Sequence, residues 1–333
     1  MKRIFALFLC LLCLAGCTSG GDVAPETTAA PTFTVPTTAE TTAATEPESQ
    51  SVTPLFWHVT GKNGAELWLL GTIHVGDERT ENLPWLITTA LESADALAVE
   101  CDVQAAMEDV ELMVDLSMMM MYDDGTGISD HLSPTLYEQA RQVLEDLGVY
   151  AGYCDYLKPM AWYSLITEGY TAAAGLDSEA GVDMQLLALA EEERLEIREI
   201  ESVTAQYELL FGFSEEIQAL LLEETVSVSQ EEYTQDLRAL MDAWCRGDEE
   251  TLLALVSEEP EEELDAADQA LYDEYYDAMY TQRNQLMIDT AISYLEAGDK
   301  VFYAVGAAHM LGEDGIIAAL EQAGYTVELI SFD

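Results

Sequence analysis

Two copies of Gly-x-x-His close apolar runs in this chain: Leu67-Trp68-Leu69-Leu70-Gly71-Thr72-Ile73-His74 and Val301-Phe302-Tyr303-Ala304-Val305-Gly306-Ala307-Ala308-His309. Only four histidines are present, and two of them hold this repeated position, about 235 residues apart. A third apolar run, Ala96-Leu97-Ala98-Val99, ends in Glu100. Such runs read as buried strands, and side chains just past their ends lie on the sheet edge where open α/β folds build sites. Two neutral imidazoles and a carboxylate form a divalent-metal set with positions left for water or substrate. The set suits zinc, manganese, cobalt or iron alike. Metal held by His74, Glu100 and His309 would lower the pKa of bound water and polarise a carbonyl, which is hydrolytic chemistry. Glu100 could equally be a general base beside a two-histidine site.

Arg283 is the fourth candidate. It lies in a helical stretch, 265–297, on a face shared with Tyr276, Met279, Tyr280, Leu286 and Met287. An arginine on an apolar face needs an acidic partner or an anionic ligand. Near the site it could hold a substrate carboxylate or stabilise an oxyanion; its plainer reading is a buried ion pair. His58 and His131 lack a matched context and read as structural. Cys101, Cys154 and Cys245 have no CxxC spacing, so neither a disulfide framework nor a thiolate zinc cluster is indicated. Cys101 reads as a small core residue. Met118 to Met121 reads as core or a soft binding wall, and Glu258 to Glu263 as a solvated loop. No His-Glu-x-x-His helix and no Gly-x-Ser-x-Gly elbow occurs.

The elements that must carry these residues follow from periodicity. Residues 55–59 and 66–73 predict a hairpin around Gly61 to Gly64. Pro84 opens a short helix, and 96–99 is a strand, giving a parallel βαβ unit. If strands 67–73 and 96–99 are neighbours, His74 and Glu100 share one edge. Each motif glycine is expected to turn the backbone sharply and aim its histidine over that edge. Helices are expected at 104–121, 133–147, 156–174, 182–192, 203–225 and 229–246, with a short strand at 196–200. Helix 265–297, strand 300–306, helix 313–323 and strand 325–332 complete the chain. The fold class is therefore α/β: a mixed central sheet built from both ends of the chain, with a large helical middle at about 103–297.

The N-terminus reads as a leader. Lys2 and Arg3 precede an apolar stretch, Ile4 to Leu14, too short to span a bilayer as a stable helix. Leu14-Ala15-Gly16-Cys17 resembles a bacterial lipobox, so 1–16 is expected to be cleaved and Cys17 lipidated. Residues 17–53, rich in Thr, Ala, Pro and Glu, read as a disordered tether, and 54–333 as the folded domain. This implies anchoring on the extracytoplasmic face of a bacterial membrane through lipid alone. The net charge of −52, from 12 basic and 64 acidic residues, makes nucleic acid a poor partner. No oligomeric state follows from the sequence.

From about Leu55 to Ile330 the chain resembles the TraB/PrgY/GumN family, to which Tiki-type metalloproteases are related. The resemblance rests on Gly71-Thr72-Ile73-His74, Val99-Glu100, and Gly306-Ala307-Ala308-His309 followed by Gly312. Shorter matches are Leu157-Lys158-Pro159, Gly181-Val182-Asp183, Glu199-Ile200-Glu201 with Gln206, Trp244 before Gly247-Asp248, and Arg283-Asn284. It implies an erythromycin-esterase/ChaN-like fold and a metal-dependent peptidase. His74, Glu100, His309 and Arg283 would be catalytic, with Gly71, Gly306 and Asn284 beside the substrate. The alternative is a surface lipoprotein that binds peptide or haem without turnover.

Overall fold

The computed structural model describes residues 52–256 and 265–332. The leader, Cys17, the tether up to residue 51 and the Glu258 to Glu263 loop lie outside the described residues. Val52 and Thr53, expected in the tether, are packed: Val52 is buried and the Thr53 N–H donates to the Cys245 carbonyl at 2.7 Å.

Among the described residues six strands form one sheet: β1 (Phe56–Thr60), β2 (Glu66–Thr72), β3 (Ala96–Val99), β4 (Glu196–Glu199), β5 (Lys300–Gly306) and β6 (Thr326–Leu329), in the order β4-β3-β5-β2-β1-β6. The hairpin β1–β2 is antiparallel, as is β1–β6, whereas β2, β5, β3 and β4 run parallel. The chain ends thus share the sheet as expected, with β4 added from the helical middle. Strand β5 is buried from Val301 to Gly306, as a central parallel strand covered on both faces must be. Each fully buried aliphatic or Phe side chain there contributes about 1.5–3 kcal/mol. The outer strands are short and charged: Arg198 of β4 pairs with Glu196 and Asp299, which discourages further strand addition.

Strands β2 and β3, whose adjacency would put His74 and Glu100 on one edge, are not neighbours. Strand β5 lies between them, with Thr72 opposite Gly306 and Val99 opposite Ala304. Because all three strands are parallel, their C-terminal ends still share one edge.

Fifteen helices surround this sheet among the described residues: α1 (Trp85–Ser93), α2 (Val103–Glu108), α3 (Val110–Met119), α4 (Ile128–His131), α5 (Pro134–Asp146), α6 (Pro159–Ala173), α7 (Val182–Glu193), α8 (Val203–Gly212), α9 (Glu215–Ser227), α10 (Gln230–Arg246), α11 (Glu249–Val256), α12 (Ala266–Tyr276), α13 (Gln282–Ala297), α14 (Ala307–Met310) and α15 (Ile316–Gln322). Two expected long helices are broken by caps. The Asp109 carboxylate accepts from the N–H groups of Glu111 and Leu112 and starts α3 afresh. Ser214 accepts from the Ile217 N–H and does the same for α9. The 265–297 helix continues through a π-helical turn, Asp277–Thr281. That turn shifts the phase of the helix, so Met279, Arg283 and Met287 are buried while Tyr276 and Leu286 on the expected face are exposed. The methionine run divides as well: Met120 is buried, Met118 and Met121 exposed. No helix of the described residues is long and apolar enough to cross a membrane.

Candidate functional site

The two Gly-x-x-His copies reach the same edge by unlike backbones. Past β2 the chain stays irregular through His74, whereas past β5 it enters α14, which carries His309. Neither motif glycine adopts a positive φ; Gly306 sits at φ −48°, ψ 138°. Neither glycine is therefore required for a left-handed backbone, and both are needed for close approach. A Cβ on Gly71 would stand 3.0 Å from Ala307 Cα, so this glycine lets α14 settle on β2. A Cβ on Gly306 would stand 3.2 Å from Glu100 Oε1, 3.5 Å from His74 Nε2 and 3.7 Å from His309 Cδ2. Three expected site residues thus converge over the α-carbon of Gly306.

Glu100 is fixed from two sides. Its Oε1 accepts the Gly306 N–H at 2.7 Å, and its Oε2 accepts Arg283 Nη2 at 2.7 Å and Gln206 Nε2 at 3.2 Å. Arg283 also donates from Nε and Nη2 to the two oxygens of Glu201, at 2.8 and 2.7 Å. Gln206 bridges the two carboxylates, reaching Glu201 at 3.0 Å. Its carbonyl end accepts the Cys101 thiol, which orients the amide. Burial pushes the Glu100 carboxyl up, yet Arg283 foremost, then the histidines and the Gly306 N–H, hold it at about 2. Burial lowers Arg283, but the Glu100 and Glu201 charges raise it further. Burial and the neighbouring carboxylates push the Cys101 thiol well up, which disfavours the thiolate that a nucleophile needs.

Each imidazole is held through Nδ1. The loop after β2 is stitched to the start of α7: the Val182 N–H donates to the Ile73 carbonyl, and Gly76 and Asp177 exchange both backbone hydrogen bonds. This brings Asp183 to His74, with Oδ2 2.8 Å from Nδ1, while Oδ1 accepts the Thr72 hydroxyl at 2.6 Å. Asn284 donates its amide to the Asp314 carbonyl at 3.0 Å, which leaves its Oδ1 to accept from His309 Nδ1. Both partners favour the tautomer with the proton on Nδ1 and a lone pair on Nε2. His309 is fully buried, and burial lowers it to about 3 against the raising influence of Glu100. His74 keeps 15 % of its side chain exposed and forms the solvent side of the site.

His74 and His309 offer the imidazole nitrogens that could hold a divalent cation. Both histidines have second partners of the kind metal-ligating imidazoles use. Glu100 and Glu201 share the guanidinium of Arg283, and Asp183 adds a third carboxylate beside His74, a formal surplus of two negative charges. As the side chains stand, no group of three or more His, Cys, Asp or Glu among the described residues could hold a metal ion. The fit therefore rests on the two imidazoles, with Glu100 alongside.

Of the residues expected beside a substrate, Gly306 lies under the convergence point. Asn284 instead holds His309, and Gly71 is covered by Ala307 and Met310 while its carbonyl accepts the Trp244 indole N–H at 2.7 Å. Of the acids just past each motif, Asp77 pairs with Arg79, and the Asp314 carbonyl accepts the Asn284 amide. His58 stacks on Trp68 and His131 on Tyr122. Motif reading did not assign roles to Asp183, Glu201 and Gln206; they entered only through short matches supporting the resemblance. No curated protein and no solved structure matches this chain. The family model TraB/PrgY/gumN matches residues 55–329, most of the sequence, and the chain belongs to the TraB/PrgY/gumN family.

Proposed function

We propose that this chain is a lipid-anchored, extracytoplasmic hydrolase that cleaves peptides with the help of a divalent metal held by His74 and His309. The single observation that carries this reading is the convergence of His74 Nε2, His309 and Glu100 Oε1 over Gly306. A divalent metal, when bound, supplies an activated water and a Lewis acid for the substrate carbonyl. Asp183 and Asn284 hold the two imidazoles in the ligating tautomer. Glu100, at about 2, stays ionised and supplies fixed negative charge beside the Nε2 atoms rather than taking up a proton. Arg283 keeps that charge buried and aimed, acting on Glu100 more than on substrate. Anchoring rests on Leu14-Ala15-Gly16-Cys17.

The test is elemental analysis of the full chain purified without added metal, followed by peptidase assays under varied divalent ions. Wild type is expected to bind metal and cleave, and His74→Ala and His309→Ala to lose both. Equal metal content in all three proteins sinks the metal reading. Failure of every ion to support cleavage across a broad peptide library sinks the hydrolase. A mass of the mature N-terminus without lipid on Cys17 removes the anchor.

A further inference from the structure

Beside His74 lies an open cleft of about 400 Å³, a figure that includes the solvent space at its mouth. His74 and Gly306 border it, and Leu240, Trp244, Leu252 and Val256 wall it from α10 and α11. In a chain with 64 acidic residues, no Asp, Glu, Lys or Arg among the described residues lines it. The polar end of Trp244 is turned away, since its N–H donates to the Gly71 carbonyl. What the indole offers the cleft is apolar.

From this we infer that the cleft is the specificity pocket of the site and takes an aliphatic side chain next to the bond being cleaved. The inference rests on the hydrolase reading above for the word cleaved, though not for the binding. A peptide carbonyl set over Gly306 has its neighbouring side chain within reach of this cleft, because Gly306 and His74 belong to both. A leucine or methionine side chain would exchange water for Leu240, Trp244, Leu252 and Val256. A carboxylate or ammonium in the same place loses its hydration and finds no opposite charge among the described lining residues. The acidic surface outside repels anionic peptides a second time.

Two measurements on the full chain separate this inference from the reading beneath it. The first uses chelator-treated protein and blocked pentapeptides, glycine throughout except for a central Leu, Ala, Lys or Glu, with binding followed by calorimetry. The leucine peptide is expected to bind at least about tenfold tighter than the glutamate and lysine peptides, the scale on which apolar pockets discriminate. The second is the same series as substrates after metal loading. Leucine-selective binding without cleavage upholds the pocket and removes the hydrolase. Cleavage with equal binding of all four peptides removes the pocket and keeps the hydrolase. Val256→Asp, at the partly exposed end of α11, should abolish the leucine preference, and Val256→Trp should keep it while weakening the leucine peptide relative to alanine. Unchanged selectivity in both variants, with helical content intact by circular dichroism, overturns the assignment.

Discussion

Arg283 Nη2 meets Glu100 Oε2 at 2.7 Å inside the protein, each side chain only 6 % exposed. The same nitrogen reaches Glu201, so one cation serves two buried carboxylates. Removing it leaves both uncompensated, which typically costs ~3–5 kcal/mol. Arg283→Gln is therefore expected to lower the urea midpoint sharply. Arg283→Lys should lose less, because it keeps the charge but not the fork that engages both Glu201 oxygens. Adding Glu201→Gln to Arg283→Gln should recover part of the loss. Equal midpoints for wild type and Arg283→Gln would show that the pair does not hold the fold.

The pH dependence of stability follows from His309 and Glu100, and both have the same sign. His309 is lowered from 6.5 to about 3, so it is neutral when folded and takes up a proton on unfolding between those values. The unfolded state then binds more protons, and stability falls as pH drops through that window. Glu100 is lowered from 4.5 to about 2; its contribution is present above 4.5 and lost as pH falls toward 2. Chelator-treated protein should lose stability from about pH 6.5 downward, more steeply below 4.5. His309→Leu should remove the first stage. A wild-type midpoint that is flat from pH 7 to 5 contradicts this account of His309.

Asp183 and Asn284 hold the two imidazoles by different chemistry, a carboxylate on one and an amide on the other. Partners of this kind typically contribute 10–100-fold to metal affinity. Asp183→Ala should therefore cut divalent-metal affinity about 10–100-fold, and Asp183→Asn less, because the amide oxygen still accepts from Nδ1. Asp183 also accepts the Thr72 hydroxyl, so unfolding curves are needed alongside. Metal titration that leaves Asp183→Ala equal to wild type removes this residue from the site.

Much of the fold was legible because its central strands β2, β3 and β5 are largely apolar runs, and Val301 to Val305 could lie nowhere but inside a sheet. The order of the strands was not: nothing in Ala96-Leu97-Ala98-Val99 records that β5 rather than β2 lies beside it. Helix breaks at Asp109 and Ser214 were missed because a capping residue is a single polar position inside an otherwise helical period. The three converging residues were legible from their position after strands. Their partners were not, since Asp183, Glu201 and Gln206 are polar residues in a chain full of acids. Only tertiary structure separates them from solvated neighbours: Asp183 stands 109 residues from His74 in sequence, and Gln206 stands 106 from Glu100.

The two motif glycines, alike in sequence, should fail differently when given a methyl group. At Gly306 the added Cβ enters the space between Glu100 Oε1, His74 Nε2 and His309, displacing side chains more than backbone. Its φ of −48° suits an L-residue, so strain is not the cause. Gly306→Ala is expected to keep most of its stability while losing metal affinity and any peptidase activity. At Gly71 the new Cβ meets Ala307 Cα at 3.0 Å and Ala307 Cβ at 3.1 Å, which moves α14 away from β2. Overpacking of this kind costs ~1–3 kcal/mol, so Gly71→Ala should lower the urea midpoint and disturb His309 through its helix. The crossed outcome, a stable Gly71→Ala beside an unfolded Gly306→Ala, would falsify the division between a packing glycine and a site glycine. Metal titration and urea unfolding on the same two variants decide it.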